Sequence, residues 1–303
     1  MVTDGDALLE LLACLKARDY RFVAVTPETH ARVVARPLSH ALTLHDIFGW
    51  NRAFGASDIE ARLLELLRHS SSLEELDGRF RSLVRVASLD DQLFLHSSFP
   101  TTAPDAVFFG PDTYRFARFV CAELSASSPD WIVDMGSGSG AGGIVAAKRV
   151  RPGRLSLIDV NPAAARLARV NARSADVAAE VDIAEHVPPG CDLVIANPPY
   201  MIDTARRTYR NGGGMLGGEI ACDWTRQALA ALAPGGRLLL YTGGAVVGGR
   251  SPLLEQITSL AAESGAELYI EEIDPDVFGE ELDRPEYRTT ERIAALGITI
   301  QKP

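Results

Sequence analysis

Lysine is nearly absent from this chain. Lys16, Lys148 and Lys302 stand against 27 arginines, and the 30 basic residues face 40 acidic ones, for a formal charge of −10. A chain this acidic is a poor non-specific binder of nucleic acid or anionic membrane, although a local basic patch is compatible with it. Cysteine is sparse as well. Cys14, Cys121, Cys191 and Cys222 are scattered without a CxxC pair, so neither a zinc site nor a disulfide framework is signalled. The six histidines show no metal-ligand spacing, and no Ser-His-Asp arrangement can be read, so neither metal nor covalent chemistry has support. No apolar run reaches the ~18 residues of a membrane span. The acidic start, MVTDGDALLE, lacks the basic region of a signal peptide. These absences lead to the expectation of a soluble, cytoplasmic protein.

What is present divides in two. With 303 residues and 47% hydrophobic content, the chain is long enough for two globular domains. Residues 1–100 read as helices followed by a hairpin. Leucines recur at helical spacing from Ala7 to Lys16. Pro27 can open a second helix through Val34. Ser57 and Glu60 make a capping box before Leu63, Leu64, Leu66 and Leu67, and Ser72 with Glu75 repeats the spacing. Leu83–Val86 and Gln92–Leu95 then flank Asp90-Asp91 as a β-hairpin. The order suggests a winged-helix-like substrate-recognition module. Its 11 basic and 14 acidic residues suit a solvated adaptor better than a nucleic-acid binder.

Residues 101–303 alternate strand and helix. Short apolar strands are expected at 131–135, 155–159, 178–182, 191–196, 237–241, 267–273 and 297–301. Helices are expected after the first glycine string, at 162–173, 219–232 and 252–262. This pattern predicts an α/β fold with an open, mostly parallel sheet that binds ligands at the strands' carboxyl ends.

Chemistry concentrates at those ends. Asp134-Met-Gly136-Ser137-Gly138-Ser-Gly140 closes the first strand. Its glycines allow a sharp turn and close approach of a ligand. Gly138-Ser-Gly140-Ala-Gly-Gly143 also satisfies the dinucleotide fingerprint. Asp159, with Asn161 two residues on, ends the next strand, where a carboxylate can take two ribose hydroxyls of either NAD or S-adenosylmethionine. Asp182, at the third strand's end, is placed to meet an adenine amino group.

Asn197-Pro198-Pro199-Tyr200, after the fourth strand, separates the two cofactors. The glycine string, Asp159 and this tetrapeptide together resemble the class I S-adenosylmethionine-dependent N-methyltransferases. More narrowly, the chain resembles the small-domain type, which includes glutamine, adenine-N6 and guanine-N2 methyltransferases. The resemblance spans roughly residues 105–245. It implies a Rossmann-like methyltransferase sheet over 101–303. It also implies direct transfer of a methyl group from S-adenosylmethionine, held by Asp134, Gly136, Ser137, Gly138, Gly140, Asp159, Asn161, Asp182 and Asn197. The tetrapeptide has a physical reading of its own. An amide or exocyclic amino nitrogen is a poor nucleophile because its lone pair is delocalised. The Asn197 side-chain oxygen and the Pro198 carbonyl can each accept one of its hydrogens and aim the lone pair. Pro198 and Pro199 hold those acceptors in place beforehand. Tyr200 offers a flat ring to a planar substrate group.

Val107-Phe-Phe-Gly-Pro-Asp112-Thr-Tyr114 resembles the segment leading into the domain of glutamine methyltransferases, with Tyr114 in place of a glutamate and read here as a substrate contact. Arg206, Arg207 and Arg210, followed by glycines, read as a mobile basic clamp on substrate. The acceptor is a protein glutamine or an RNA nucleobase, with a small molecule as alternative. An NAD-dependent oxidoreductase and a non-catalytic adaptor are outside readings.

Overall fold

The structure, a computed structural model, describes residues 3–124 and 128–303. Its N-terminal part holds α1 (Asp4–Lys16), α2 (Pro27–Val34) and α3 (Ala61–His69). Two hairpins follow, β1 (Leu73–Leu76) with β2 (Arg79–Ser82), and β3 (Val84–Leu89) with β4 (Gln92–Ser97). Thr3 caps α1 and Thr26 caps α2, each side chain accepting a backbone N–H in the first turn. Two local expectations fail. Ser57 does not cap α3. Residues 55–58 close a separate turn in which Asp58 accepts the Gly55 N–H (2.7 Å), and the Glu60 carboxylate is taken by Arg18, just after α1. Ser72 opens no turn but leads into β1. There Asp77-Gly78, both at positive φ, make the tight hairpin turn that this dipeptide favours.

The second part opens with α4 (Pro111–Glu123) and continues through β5 (Trp131–Met135), α5 (Ala141–Val150), β6 (Arg154–Asp159), α6 (Pro162–Ser174), β7 (Glu180–Ile183) and β8 (Cys191–Ala196). It ends with α7 (Glu219–Ala231), β9 (Leu232–Val246), α8 (Pro252–Glu263), β10 (Glu267–Asp274) and β11 (Arg292–Gln301). The seven strands run in the order β10-β11-β9-β8-β5-β6-β7. β9, β8, β5, β6 and β7 are mutually parallel, and β11 lies antiparallel between β9 and β10. The chain reverses its direction of strand addition between β5 and β8, the switch point at which open sheets bind ligands. Apart from Asp134 and Asp192, β5 and β8 are apolar because both faces of the sheet are covered by helices.

The two parts share their cores. Ala164, Leu167 and Val170 of α6 pack with the leucines of α1 and α3, while Ala87, Leu89 and Phe94 of the β3–β4 hairpin join the core beneath the sheet. Buried Asn171 of α6 acts as a strand edge. Its Oδ1 accepts the Leu95 N–H (2.9 Å), and its Nδ2 donates to the Leu95 carbonyl (3.1 Å) and to the Ser139 carbonyl of the glycine loop (2.8 Å). Among the described residues no helix is long and apolar enough to cross a membrane.

Replacing Asn171 with Leu leaves the Leu95 N–H and two carbonyls buried without partners. The expected loss is about 2–4 kcal/mol of unfolding free energy, read by urea denaturation. A loss below about 0.5 kcal/mol would show that Asn171 does not join the two parts.

Candidate active site

The carboxyl ends of β5, β6 and β8 open into a cavity of about 830 Å³. After β5 the backbone turns through Gly136 (φ 67°) and Gly138 (φ 54°). A Cβ at Gly136 would lie 2.2 Å from the Trp224 ring, whereas one at Gly138 would meet no atom within 4 Å and would fill cavity space. Two carboxylates hold this loop by its backbone. Asp134 Oδ2 accepts the Gly143 N–H (2.7 Å), and Asp159 Oδ2 accepts the Gly138 N–H (2.8 Å). Ser137 donates its N–H to the Ile158 carbonyl (3.0 Å), and its buried Oγ has no partner among the described residues. Burial pushes Asp134 up to about 7, with nearby Asp159 adding to the rise and the Gly143 N–H opposing it.

Not every residue expected at the cofactor faces the cavity. Gly140 lies beneath the loop, where a Cβ would stand 3.1 Å from Ile144 and Leu157, and its left-handed conformation starts α5. Asn161 lines the cavity, but its amide is engaged at both ends: Oδ1 caps α6 at the Ala163 N–H (2.9 Å) and Nδ2 donates to the Asp105 carbonyl (2.7 Å). Asp182 is exposed on β7 away from the cavity. The chain turns at Ala184, whose N–H bonds the Asp159 carbonyl, so Ala184, Glu185 and His186 reach the rim instead.

β8 delivers Asn197, Pro198, Pro199 and Tyr200 to the opposite wall. Neither the half-buried Asn197 side chain nor the Pro198 carbonyl has a hydrogen-bond partner among the described residues. Tyr200 is oriented by the protein. Its ring lies against β9, where a Cβ on Gly243 would be 2.2 Å away, and its buried hydroxyl donates to Asp112. Asp112 also accepts from Tyr241 (2.8 Å) and Arg115 (3.3 Å). Burial nonetheless raises its pKa, against the pull of these three donors. Asp112 and Thr113 face the cavity; Tyr114, one residue on, does not. The turn of α4 carries Tyr114 to the N-terminal part, where its hydroxyl accepts the Ala24 N–H (2.9 Å), which removes it as a substrate contact.

The basic clamp is also corrected. Arg207 forms a two-pronged ion pair with Asp203 (2.6 and 3.0 Å), holding that carboxyl down to about 2, and Arg210 pairs with Glu281. Tyr209 donates to the Thr101 carbonyl (2.7 Å), and the Thr208 N–H to the Pro104 carbonyl (3.3 Å). The glycines fit tight packing rather than hinging: a Cβ on Gly217 would lie 2.2 Å from the Tyr200 carbonyl oxygen. Arg206 alone of the three is exposed without a side-chain partner among the described residues. The loop is therefore a roof tied down by two paired arginines, with Arg206 as its one arginine without a side-chain partner among the described residues.

Two walls were missed by reading the sequence. Phe278 comes from the segment between β10 and β11, and Arg85, His30 and Phe99 come from the N-terminal part. The segment 107–114 contained Asp112, but nothing local marks Arg85 or Phe278 as facing this cavity. Among the described residues no cluster of His, Cys, Asp and Glu could hold a metal ion.

Asp134 gives the site a pH signature. Its folded pKa of about 7 lies above its ordinary 3.8, so its contribution to stability is complete below about pH 4 and is lost as pH rises to 7. Wild type should therefore lose stability relative to Asp134→Asn between pH 4 and 7, with the difference level above that. Urea titrations of both proteins read this directly, and a constant difference across the range would refute it.

Residues 106–246 match the family model of the Methyltransferase small domain. The release factor glutamine methyltransferase of Koribacter versatilis is 27% identical over 158 residues, which is 46% of this chain and 56% of the relative; the match thus spans little more than half of that protein's length. In fold, the chain is similar to wild-type Trm5b from Pyrococcus abyssi (TM-score 0.51, 17% identity, 81% of this chain and 68% of that one). It is also similar to Methanocaldococcus jannaschii Trm5 in complex with adenosine (TM-score 0.50, 15% identity, 73% and 56%). Residues 106–246 are thus similar to the S-adenosylmethionine-dependent methyltransferases of the small-domain type.

Proposed function

We propose that this protein is an N-methyltransferase acting on a planar amide or exocyclic amino nitrogen. The observation that carries the reading is the pair of unengaged acceptors, the Asn197 side chain and the Pro198 carbonyl, on the cavity wall at the end of β8. Both acceptors sit in a proline-restricted turn and have no partner among the described residues.

The residues fit the cofactor. The open space at Gly138, the unpartnered Ser137 Oγ and the Asp159 carboxylate at the end of β6 form a cradle for a nucleoside bearing an amino-acid chain. Gly136, Ser137, Gly138 and Asp159 would hold it, with Asp134 fixing the loop from behind. When bound, S-adenosylmethionine supplies an electrophilic methyl group. The protein's part is to bind and orient. Asn197 and Pro198 accept the two hydrogens of the acceptor nitrogen, which localises its lone pair before reaction. Tyr200, pinned by Asp112, sets the angle of the turn and presents its ring to the acceptor. The fixed roof over residues 203–211 limits water.

A protein glutamine suits the site better than an RNA base. Two of the three arginines that would favour RNA are paired with Asp203 and Glu281, which leaves Arg206, and the similarity to a release factor glutamine methyltransferase supports an amide. A small-molecule amide is the second reading, favoured by the walled cavity.

Calorimetry should show binding of S-adenosylhomocysteine and none of NAD; the reverse would end the assignment. With tritiated cofactor and fractionated lysate, label should enter protein. In that assay Asn197→Ala should cut turnover about a hundredfold or more while leaving cofactor affinity nearly unchanged. Near-wild-type turnover would remove the tetrapeptide from the chemistry.

A further inference from the structure

The N-terminal wall of the cavity contains an arginine without a counter-ion. Arg85 lies on β3 and is only 5% exposed. Its Nε donates to the Ser97 carbonyl (3.0 Å) and its Nη1 to His30 Nδ1 (3.3 Å), while Nη2 has no hydrogen-bond partner among the described residues. No carboxylate forms an ion pair with it among the described residues. Its guanidinium carbon stands 5.9 Å from the centre of the Phe99 ring, on which His30 is stacked at 3.9 Å. Arg85, His30 and Phe99 all line the cavity.

The histidines around it supply no negative charge. His30 Nε2 faces the Trp50 carbonyl (3.0 Å), which can only accept, so Nε2 carries the hydrogen and Nδ1 is the acceptor for Arg85. His96 stands directly opposite Arg85 in the β3–β4 register, stacks on Phe109 (5.2 Å), and has neither ring nitrogen hydrogen-bonded. Burial and the Arg85 charge hold His30 down to about 4 and His96 well below its ordinary value, so both are neutral at pH 7. Burial also lowers Arg85, to about 10, which leaves it charged at pH 7. One full positive charge thus sits in the cavity wall with neutral partners only among the described residues. Buried charges in folded proteins are ordinarily paired, because the cost of removing an ion from water is otherwise uncompensated.

We propose that Arg85 is an oxyanion subsite of this cavity, receiving a carboxylate or phosphate of a bound ligand on Nη2 and Nη1. The proposal deepens the methyltransferase reading and rests on it for the ligand's identity. The oxyanion has two possible sources: the amino-acid carboxylate of the cofactor, or an acidic group on the methyl acceptor beside the nitrogen held by Asn197. In either case the N-terminal part is a wall of the active site and not a detached recognition module.

The test uses the full chain as wild type, Arg85→Gln and Arg85→Lys. Probes are S-adenosylhomocysteine, 5′-methylthioadenosine (which lacks the carboxylate), acetate and inorganic phosphate. If the cofactor supplies the oxyanion, Arg85→Gln weakens S-adenosylhomocysteine about ten- to a hundredfold, Arg85→Lys restores part of it, and 5′-methylthioadenosine binds all three alike. If the acceptor supplies it, S-adenosylhomocysteine binds all three alike. Acetate or phosphate then shifts the Arg85 Nε–H resonance of the loaded wild type saturably, and loses its binding in Arg85→Gln. An Arg85 resonance unmoved by every probe overturns the proposal, and this readout needs no variant to fold. Wild type that fails to bind S-adenosylhomocysteine would count against the methyltransferase reading alone, since acetate and phosphate still interrogate Arg85 in the unloaded protein.

Discussion

The site depends on one buried carboxylate. Asp112 stands at the start of α4 and takes hydrogen bonds from Tyr200 beside the tetrapeptide, Tyr241 on β9 and Arg115 on its own helix; Arg115 continues to Asp274 at the end of β10 (2.9 Å). Four segments far apart in sequence are thereby fixed to one point. Burial works against the charged form of Asp112, and the three donors work for it. Such a node is stable only when every donor is in place, so it converts correct folding of α4, β8, β9 and β10 into one orientation of the turn that carries Asn197.

The same logic joins the two halves of the chain. Asn171 bonds both the β3–β4 hairpin and the glycine loop, and α6 belongs at once to the sheet layer and to the N-terminal core. The cavity is therefore walled by both parts: glycine loop and tetrapeptide on one side, the hairpin with Arg85 and the Phe99 segment on the other. The loop over residues 203–211 closes the roof by bonding to Thr101 and Pro104.

Much of the fold was legible along the chain. The strands at β5, β6 and β8 and the helices α2, α5, α6 and α7 lie where apolar period, proline and glycine put them, because these signals act over a few residues. The loop-to-strand grammar of Asp134, Gly138, Asp159 and Asn197 was legible for the same reason. Charge was less readable. Three arginines in five positions look like a basic patch until Asp203 and Glu281 neutralise two of them, and Glu281 is 71 residues from its partner. Tyr114 and Tyr200 looked alike as aromatic contacts; one turn of helix sent the first to Ala24 and a glycine on β9 received the second.

The sequence by itself determined the alternation of strand and helix, the glycine turn and the proline-held acceptors, because each follows from backbone preferences of adjacent residues. Only the tertiary structure decided which charges remain unpaired. Asp182 was left outside, Arg207 and Arg210 were matched, and Arg85 was enclosed without a carboxylate. The physical reason is that ion pairing and desolvation depend on distance in space. Neither is encoded by spacing along the chain, so the electrostatic character of the cavity appears only when the hairpin, the roof and the sheet are brought together.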